Sequence, residues 1–348
     1  MSIGCRECVE AALAGRPTPR PAVGPLAVHY CARWAGVSLR RYTLDPAALA
    51  DSVARYHERF RPDAVWLSAD TWVTAEAMGA EVGFTGDEQP AGGTGRPRVR
   101  TAGDIAAIPP PDPMRHGRWP LMLDALRRLR AALGGDVFLV ACFDQYPFSL
   151  ACELMGIDHV MFALVEDRPR LEALAERCLE YAEAYALALA AEGADMLSGG
   201  DSPAGLIGPR WYAEVAQPLE RRLIERLHAA TGLPVSLHIC GDATPILDAM
   251  AATGADVLEV DAPIDIAEAF ARAGPRTALW GNLDPVRVLA QADPATVRRE
   301  TAKLLARVRA CGGRRFVLSS GCTLAVETPA ENLDAFFAAA RDFGSLFS

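Results

Sequence analysis

The sequence has no excess of positive charge. Its 35 lysines and arginines face 44 aspartates and glutamates, a net charge of −9. Such a chain has little with which to neutralise a run of phosphates, which argues against a nucleic-acid partner. The arginine pairs Arg127-Arg128 and Arg221-Arg222 sit in helical patterns and read as solvated helix faces. The first residues carry no apolar core of the kind a secretion signal needs. Nor is any uninterrupted apolar stretch long enough to span a bilayer. Ala182 to Ala191 is too short, and Glu183 and Glu192 interrupt or flank it. These absences predict a cytoplasmic protein with no membrane partner. In that compartment the nine cysteines are thiols or metal ligands rather than disulfides, and their odd number agrees. Cys5-x-x-Cys8 lacks a second pair at zinc-ribbon spacing and a preceding strand, so it reads as incidental.

The chain also lacks any tandem repeat, low-complexity tract or linker that would divide it. Its 348 residues, 51% hydrophobic and 23% charged, can bury a large core, and they read as one domain over 1–348. Short β-rich runs, each ending in a polar residue, alternate with helical segments. The expected strands are Ala22 to His29, Ala64 to Asp70, Val137 to Asp144, Ala194 to Asp201, Val235 to Cys240, Val257 to Asp261, Ala278 to Asn282 and Phe316 to Cys322. The main helical patterns are Pro46 to Phe60, Leu121 to Leu133, Arg168 to Glu192, Arg210 to Ala230, Pro294 to Ala310 and Pro329 to Phe343, with shorter ones at Pro245 to Ala252 and Ile264 to Ala273. Alternating β and α elements imply a parallel sheet, and eight units at this length predict a (β/α)8 TIM barrel. An open doubly wound sheet is the fallback, but no Gly-x-Gly-x-x-Gly turn follows the first strand. Glu81 to Trp119 breaks the rhythm. It is rich in glycine and proline and too long for an ordinary βα connection, so it is expected to be an inserted hairpin and lid with a tip at Gly92 to Gly95.

In a barrel the C-terminal ends of the strands converge on one face. Here those ends carry Asp70, Asp144, Asp201, His238 with Cys240, Asp261, Asn282 with Asp284, and Cys322. His238 and Cys240 are two apart and point to the same side of a strand. The bland reading of that pair is a hydrogen-bonded core histidine beside a small buried thiol. With Cys322 added, one imidazole and two thiolates suit zinc, and three protein ligands leave a fourth position open. Asp201 and Asp261 are assigned to catalysis, and Asp144 and Asn282 to cofactor binding. Asp144 and Asp201 could instead cap helices, and Asp284-Pro285 reads as a turn and helix start.

At these residues the sequence resembles the uroporphyrinogen decarboxylase superfamily, and within it the zinc-dependent corrinoid methyltransferases such as methylcobalamin:coenzyme M methyltransferase. The likeness is carried by Gly205-Leu206-Ile207-Gly208-Pro209, His238-Ile239-Cys240-Gly241, Gly281-Asn282-Leu283-Asp284-Pro285 and Leu318-Ser319-Ser320-Gly321-Cys322, and more weakly by Arg118-Trp119-Pro120. The resemblance implies a (β/α)8 barrel, zinc on His238, Cys240 and Cys322, and an acidic residue, Asp201, facing the barrel centre. It also implies a subfamily. The decarboxylases carry an N-terminal Arg-Gln-Ala-Gly-Arg segment that binds carboxylates and lack the zinc triad. Here the corresponding stretch is Pro25-Leu26-Ala27-Val28-His29-Tyr30. The implied reaction moves a methyl group between a corrinoid, methylcobalamin or a corrinoid protein, and a thiol or other small molecule, in a direction left open. No Asp-x-His-x-x-Gly segment is present, so the corrinoid is expected as a free cofactor or on a separate protein. Two rivals stand. A decarboxylase with altered substrate would need cationic clamps, for which Arg33, Arg40 and Arg41 offer themselves. A non-catalytic zinc or corrinoid-partner module would fill all four metal positions with protein.

Overall fold

The structure, a computed structural model, describes residues 3–84, 88–92 and 96–347. Eight parallel strands form the barrel: β1 (Ala22–Val23), β2 (Ala64–Leu67), β3 (Phe138–Gln145), β4 (Met196–Gly200), β5 (Val235–His238), β6 (Val257–Glu259), β7 (Ala278–Leu283) and β8 (Phe316–Ser320). They pair in the order β1-β8-β7-β6-β5-β4-β3-β2, so the first strand pairs with the last and every sequential pair but β1 and β2 is laddered. This is the expected (β/α)8 barrel. Helices follow the strands and cover the outside. The helix Pro46–Phe60 begins as its sequence predicts, with Pro46 at the first position and Asp45 accepting from the amides of Ala47 and Ala48.

The seam between β1 and β2 has no ladder. Asp63 closes it instead. Its amide donates to the Val23 carbonyl at 2.8 Å, its carboxylate accepts from the Val23 amide at 2.9 Å, and Arg20 holds the same carboxylate at 2.6 and 2.7 Å. Its carbonyl accepts from the Phe138 amide at 3.1 Å, so one residue ties β1 to both β2 and β3.

The floor of the barrel is apolar. Trp66 and Trp280 meet edge to face at 5.7 Å between ring centres. Each buried indole of this kind is worth about 3–5 kcal/mol against alanine. The helix Cys5–Ala14 packs Cys8, Val9 and Ala12 against the same cluster and plugs the N-terminal end. Burial first, and then the charge of Asp63, push the Cys5 thiol up to about 11 and that of Cys8 up to about 12. Thiols held so far from ionisation are poor nucleophiles and poor metal ligands.

The sequence pattern extends β1 too far. The strand ends at Val23, and His29 lies in a helix, Val28–Ala35. Pro25 has no amide to give a ladder, so the chain turns and buries Tyr30, Cys31 and Ala32 while Arg33 and Trp34 face out. Two helices, Pro147–Met155 and Ile157–Glu166, have no counterpart in the pattern analysis, because the first is buried nearly all round and so has no apolar stripe. The inserted region holds a short antiparallel hairpin, Val82–Gly83 with Ala91–Gly92, and a helical turn, Ala102–Ala106. Gly93 to Gly95, most of the expected tip, lie outside the described residues. No single described helix is long and apolar enough to cross a membrane.

Candidate metal centre and substrate cavity

On β5, Val235 and Leu237 face the surrounding helices while Ser236 and His238 face the barrel axis. The strand ends at His238, and Cys240 follows in a turn that Gly241 makes with φ 81°, a left-handed conformation costly for other residues. Cys322 lies two residues beyond β8. Gly321 lets that segment pass over Asp261: a Cβ there would sit 2.5 Å from the Ala262 amide nitrogen and 2.8 Å from Asp261 Oδ1. These loops bring His238, Cys240 and Cys322 together, with all three ligating atoms within 4.8 Å of one another. His238 Nε2 is 3.0 Å from Cys240 Sγ, and the two sulfurs are 3.6 Å apart.

The donor set fits zinc. His238 Nδ1 lies 3.1 Å from the Glu259 carbonyl. A carbonyl only accepts, so Nδ1 carries a hydrogen, and Nε2 is the nitrogen that would give its lone pair to a metal once its own proton is lost. Tetrahedral zinc with sulfur and nitrogen ligands has ligand–ligand edges of about 3.4–3.8 Å, close to the separations here. The three groups also share protons unevenly. The hydrogen bond with Cys322 lowers the Cys240 thiol below its ordinary range and raises that of Cys322. Burial alone would depress His238, but Cys322 and the Glu259 carbonyl outweigh it and push the imidazole up to about 9. Cys240, exposed at the mouth, is the first of the pair to ionise.

The three residues line one wall of a cavity of about 210 Å³ at the C-terminal face. Trp66 and Leu26 lie towards its floor, and His29, Asp70, Asp144 and Gln145 form the wall away from the cysteines. No lysine or arginine lines it among the described residues. Beneath His238, Glu259 accepts hydrogen bonds from Ser198 at 2.8 Å and from Ser236. Behind the far wall, buried Arg118 grips Asp70 with Nη1 at 2.5 Å and Nη2 at 3.1 Å, and Glu76 with Nε at 2.5 Å.

Asp144 lines the cavity. It holds φ 68°, uncommon for a residue with a Cβ, where the register of β3 against β4 slips between Cys142 and Gln145. One oxygen, Oδ2, accepts from the amide and hydroxyl of Thr74 at 2.7 and 3.0 Å; the other, Oδ1, is buried with no partner. Burial first, and then the nearby Asp70, push this carboxyl up to about 8. The unfolded carboxyl loses its proton near pH 4, whereas the folded one keeps it to about 8. Asp144 therefore costs stability progressively as pH rises through that window. Asp144→Asn, which has no charge to desolvate, is expected to match the parent in chemical denaturation at pH 4 and to exceed it increasingly towards pH 8. A constant difference across that range would refute this cost.

Three other expected site residues do not reach the cavity. Asp201 is fully buried and turned outward. Its Oδ1 accepts from the Ser149 amide at 2.7 Å and hydroxyl at 2.6 Å, capping the helix Pro147–Met155, which the sequence did not reveal. Asp261 is consumed by the amides of Gly241 at 2.7 Å and Ala262 at 2.6 Å, so it braces the Cys240 turn. The Asn282 amide donates to the carbonyls of Asp261 and Ile264, and its side of the chain faces a groove outside the barrel. For Asp201 and Asp261 the strands stop one and two residues earlier than the alternation implies, and the loops rotate the following residue away; Asn282 lies inside β7 and turns its amide to the neighbouring loop instead. Asp284 does start a helix, as its sequence context predicts. Sequence reasoning passed over Glu259, although a carboxylate inside an apolar strand is costly enough to signal a role.

A family profile described as uroporphyrinogen decarboxylase (URO-D) matches residues 6–343. The chain belongs to the uroporphyrinogen decarboxylase family. Among its curated URO-D relatives, the uroporphyrinogen decarboxylase of Azotobacter vinelandii (strain DJ / ATCC BAA-1303) is 33% identical over 294 residues, 82% of this chain and 80% of that protein. The enzyme of the same name from Ectopseudomonas mendocina (strain ymp) is 31% identical over the same shares. Among solved structures, a methyltransferase from Methanosarcina mazei superposes with a TM-score of 0.87 at 25% identity, covering 98% of this URO-D chain and 99% of that one. A B12-independent methionine synthase from Shewanella sp. W3-18-1 shares the fold alone, with a TM-score of 0.58 at 12% identity over 85% and 87% of the two chains.

Proposed function

We propose that this URO-D family member is a zinc-dependent methyltransferase that moves a methyl group from a corrinoid to a small thiol. The observation that carries this reading is the convergence of His238, Cys240 and Cys322 on one wall of a cavity that, among the described residues, no lysine or arginine lines. The likeness to the methyltransferase from Methanosarcina mazei supports it. The 33% identity to the Azotobacter vinelandii decarboxylase favours decarboxylation instead. A polycarboxylate would need cationic partners, however, and Arg33, Arg40 and Arg41 are all exposed, with Arg40 donating to the Phe84 carbonyl and Arg41 to Asp45.

Zinc on the three side chains would supply Lewis acidity, holding a substrate thiol as its nucleophilic thiolate at neutral pH. The chain's own residues do the rest. The Glu259 carbonyl fixes the His238 tautomer, and Asp261 holds the turn that carries Cys240. The apolar floor excludes water beneath the site. In the reaction the thiol proton goes to solvent and the sulfur lone pair forms the S–CH3 bond. Both electrons of the cobalt–carbon bond stay with cobalt. The corrinoid is the substrate that brings the methyl group, free or on a separate protein, and meets the thiol at the open mouth beside Cys240.

The test is a panel of thiols with methylcobalamin, followed at the corrinoid absorbance, beside metal analysis of the same protein. Thiol-dependent, chelator-sensitive demethylation is the expected result. Loss of carboxyl groups from uroporphyrinogen, unaffected by chelation and with no demethylation, would establish the decarboxylase reading in its place.

A further inference from the structure

The far wall of the cavity asks for a positive charge. Asp144, 3% exposed, presents an oxygen with no partner, while Thr74 occupies the other oxygen and fixes the carboxylate in place. Behind it Glu153 is half-buried, with one oxygen on the Gln145 amide at 3.1 Å and the other buried and unpartnered. Asp70 adds a second carboxylate to the lining. Arg118 offsets Asp70 from behind, but among the described residues that line the cavity nothing offsets Asp144. Arg118 is close, but its donors are taken by Asp70, Glu76 and the Thr43 carbonyl, and the Phe84 ring covers it at 4.9 Å. His29 gives Nε2 to the Ala69 carbonyl, and burial keeps its pKa below the usual value, so the ring stays neutral. Buried without a counter-charge, the Asp144 carboxyl keeps its proton; a cationic ligand lets that proton leave to solvent and supplies the charge the carboxylate lacks.

The spacing fixes what such a ligand looks like. Gln145 pairs with Gly200, and Gly200 with His238, so the far wall and the metal centre share one level of the barrel, two strands apart. Adjacent strands are about 4.8 Å apart, which puts the two backbones about 10 Å from each other. Asp144 and His238 both reach inward from that separation.

We infer that the small molecule used here is a short aminothiol, its sulfur at the His238–Cys240–Cys322 centre and its ammonium group bound by Asp144. The inference rests on the methyltransfer reading for the role of the sulfur, but the ammonium site stands on the far wall alone. The amine takes no part in bond making or breaking; it positions the sulfur. Thiols ending in a sulfonate or carboxylate would meet no cation among the described lining residues and would hold the Asp144 carboxyl in its neutral form.

Two measurements separate this from the methyltransfer proposal. The first compares 2-aminoethanethiol, 2-mercaptoethanol, 2-mercaptoethanesulfonate and 3-mercaptopropionate as methyl acceptors from methylcobalamin. The KM for the aminothiol is expected to be lowest by about tenfold or more, and Asp144→Asn should raise that KM by about tenfold to a hundredfold, erasing the preference over 2-mercaptoethanol. The second is calorimetric titration with propylamine and with propionate, neither of which needs methyl transfer. Propylamine should bind the parent protein and Asp144→Glu, and fail to bind Asp144→Asn; propionate should bind none of them. Preference for an anionic thiol, or propylamine binding that ignores Asp144→Asn, overturns the inference and leaves methyl transfer standing. Asp144-dependent amine binding without methyl transfer to any thiol upholds the ammonium site and removes the proposed function. Circular dichroism of both variants checks that each is folded.

Discussion

Cys322→Ala protein is expected to leave purification almost free of zinc, where the parent carries about one per chain. Loss of a residue that merely orients a ligand costs metal sites about 10–100-fold in affinity, and loss of a ligand itself costs more. The remaining pair, His238 and Cys240, belongs to one strand end and would hold zinc by two bonds. Methyl transfer should fall by at least about a hundredfold, because the thiol substrate would revert to its protonated form. The fold should survive, since Cys322 lies beyond β8 and packs no core. Cys311→Ala is the matched control, an exposed thiol on the outer surface, and should keep both zinc and activity. Full zinc content in Cys322→Ala would show that the metal, if bound, sits elsewhere.

Arg118→Met should destabilise the fold far more than Cys322→Ala does. The guanidinium lies between Asp70, with a side chain 2% exposed, and Glu76, 24% exposed, and is itself 6% exposed. Removing one member of such a group strands charge in the interior, which costs about 3–5 kcal/mol. Methionine keeps the length and apolar stem, so cavity formation adds little. Urea denaturation at neutral pH measures the loss. The diagnostic is the double variant Arg118→Met with Asp70→Asn, which should recover much of it, since a neutral amide needs no counter-charge. A single variant within about 1 kcal/mol of the parent would mean that the cluster is hydrated and its charges are weakly coupled.

The barrel and the meeting of His238, Cys240 and Cys322 were legible because they rest on period and spacing. Eight apolar runs alternating with helical stripes permit few other topologies, and His238 and Cys240, two apart, must share a side wherever the strand lies. The acids were not legible in the same way. Asp144 and Asp201 both follow apolar runs and precede helices, and only the slip of register in β3 turns one inward while the helix Pro147–Met155 claims the other. That helix carried no stripe to announce it. Arg118 was visible only as part of a motif, because its partners lie 48 and 42 residues away. Pairings at that range are set by topology rather than by local pattern. Glu259 sat in plain view inside a strand, but Asp261, at the expected strand end, drew the assignment.

The seam at Asp63 has a mechanical consequence. Seven of the eight strand junctions are rows of backbone bonds that share any load, whereas the eighth hangs on one carboxylate, one amide and one carbonyl. With the fewest bonds to stretch, it is the softest junction of the cylinder. Because β2 leads directly to Asp70 and β1 to Leu26, a widening of the seam would be felt first at the part of the cavity wall those residues line. The softest junction of this molecule therefore borders Asp70 and Leu26, while His238, Cys240 and Cys322 lie at or just beyond the ends of strands that are laddered on both sides.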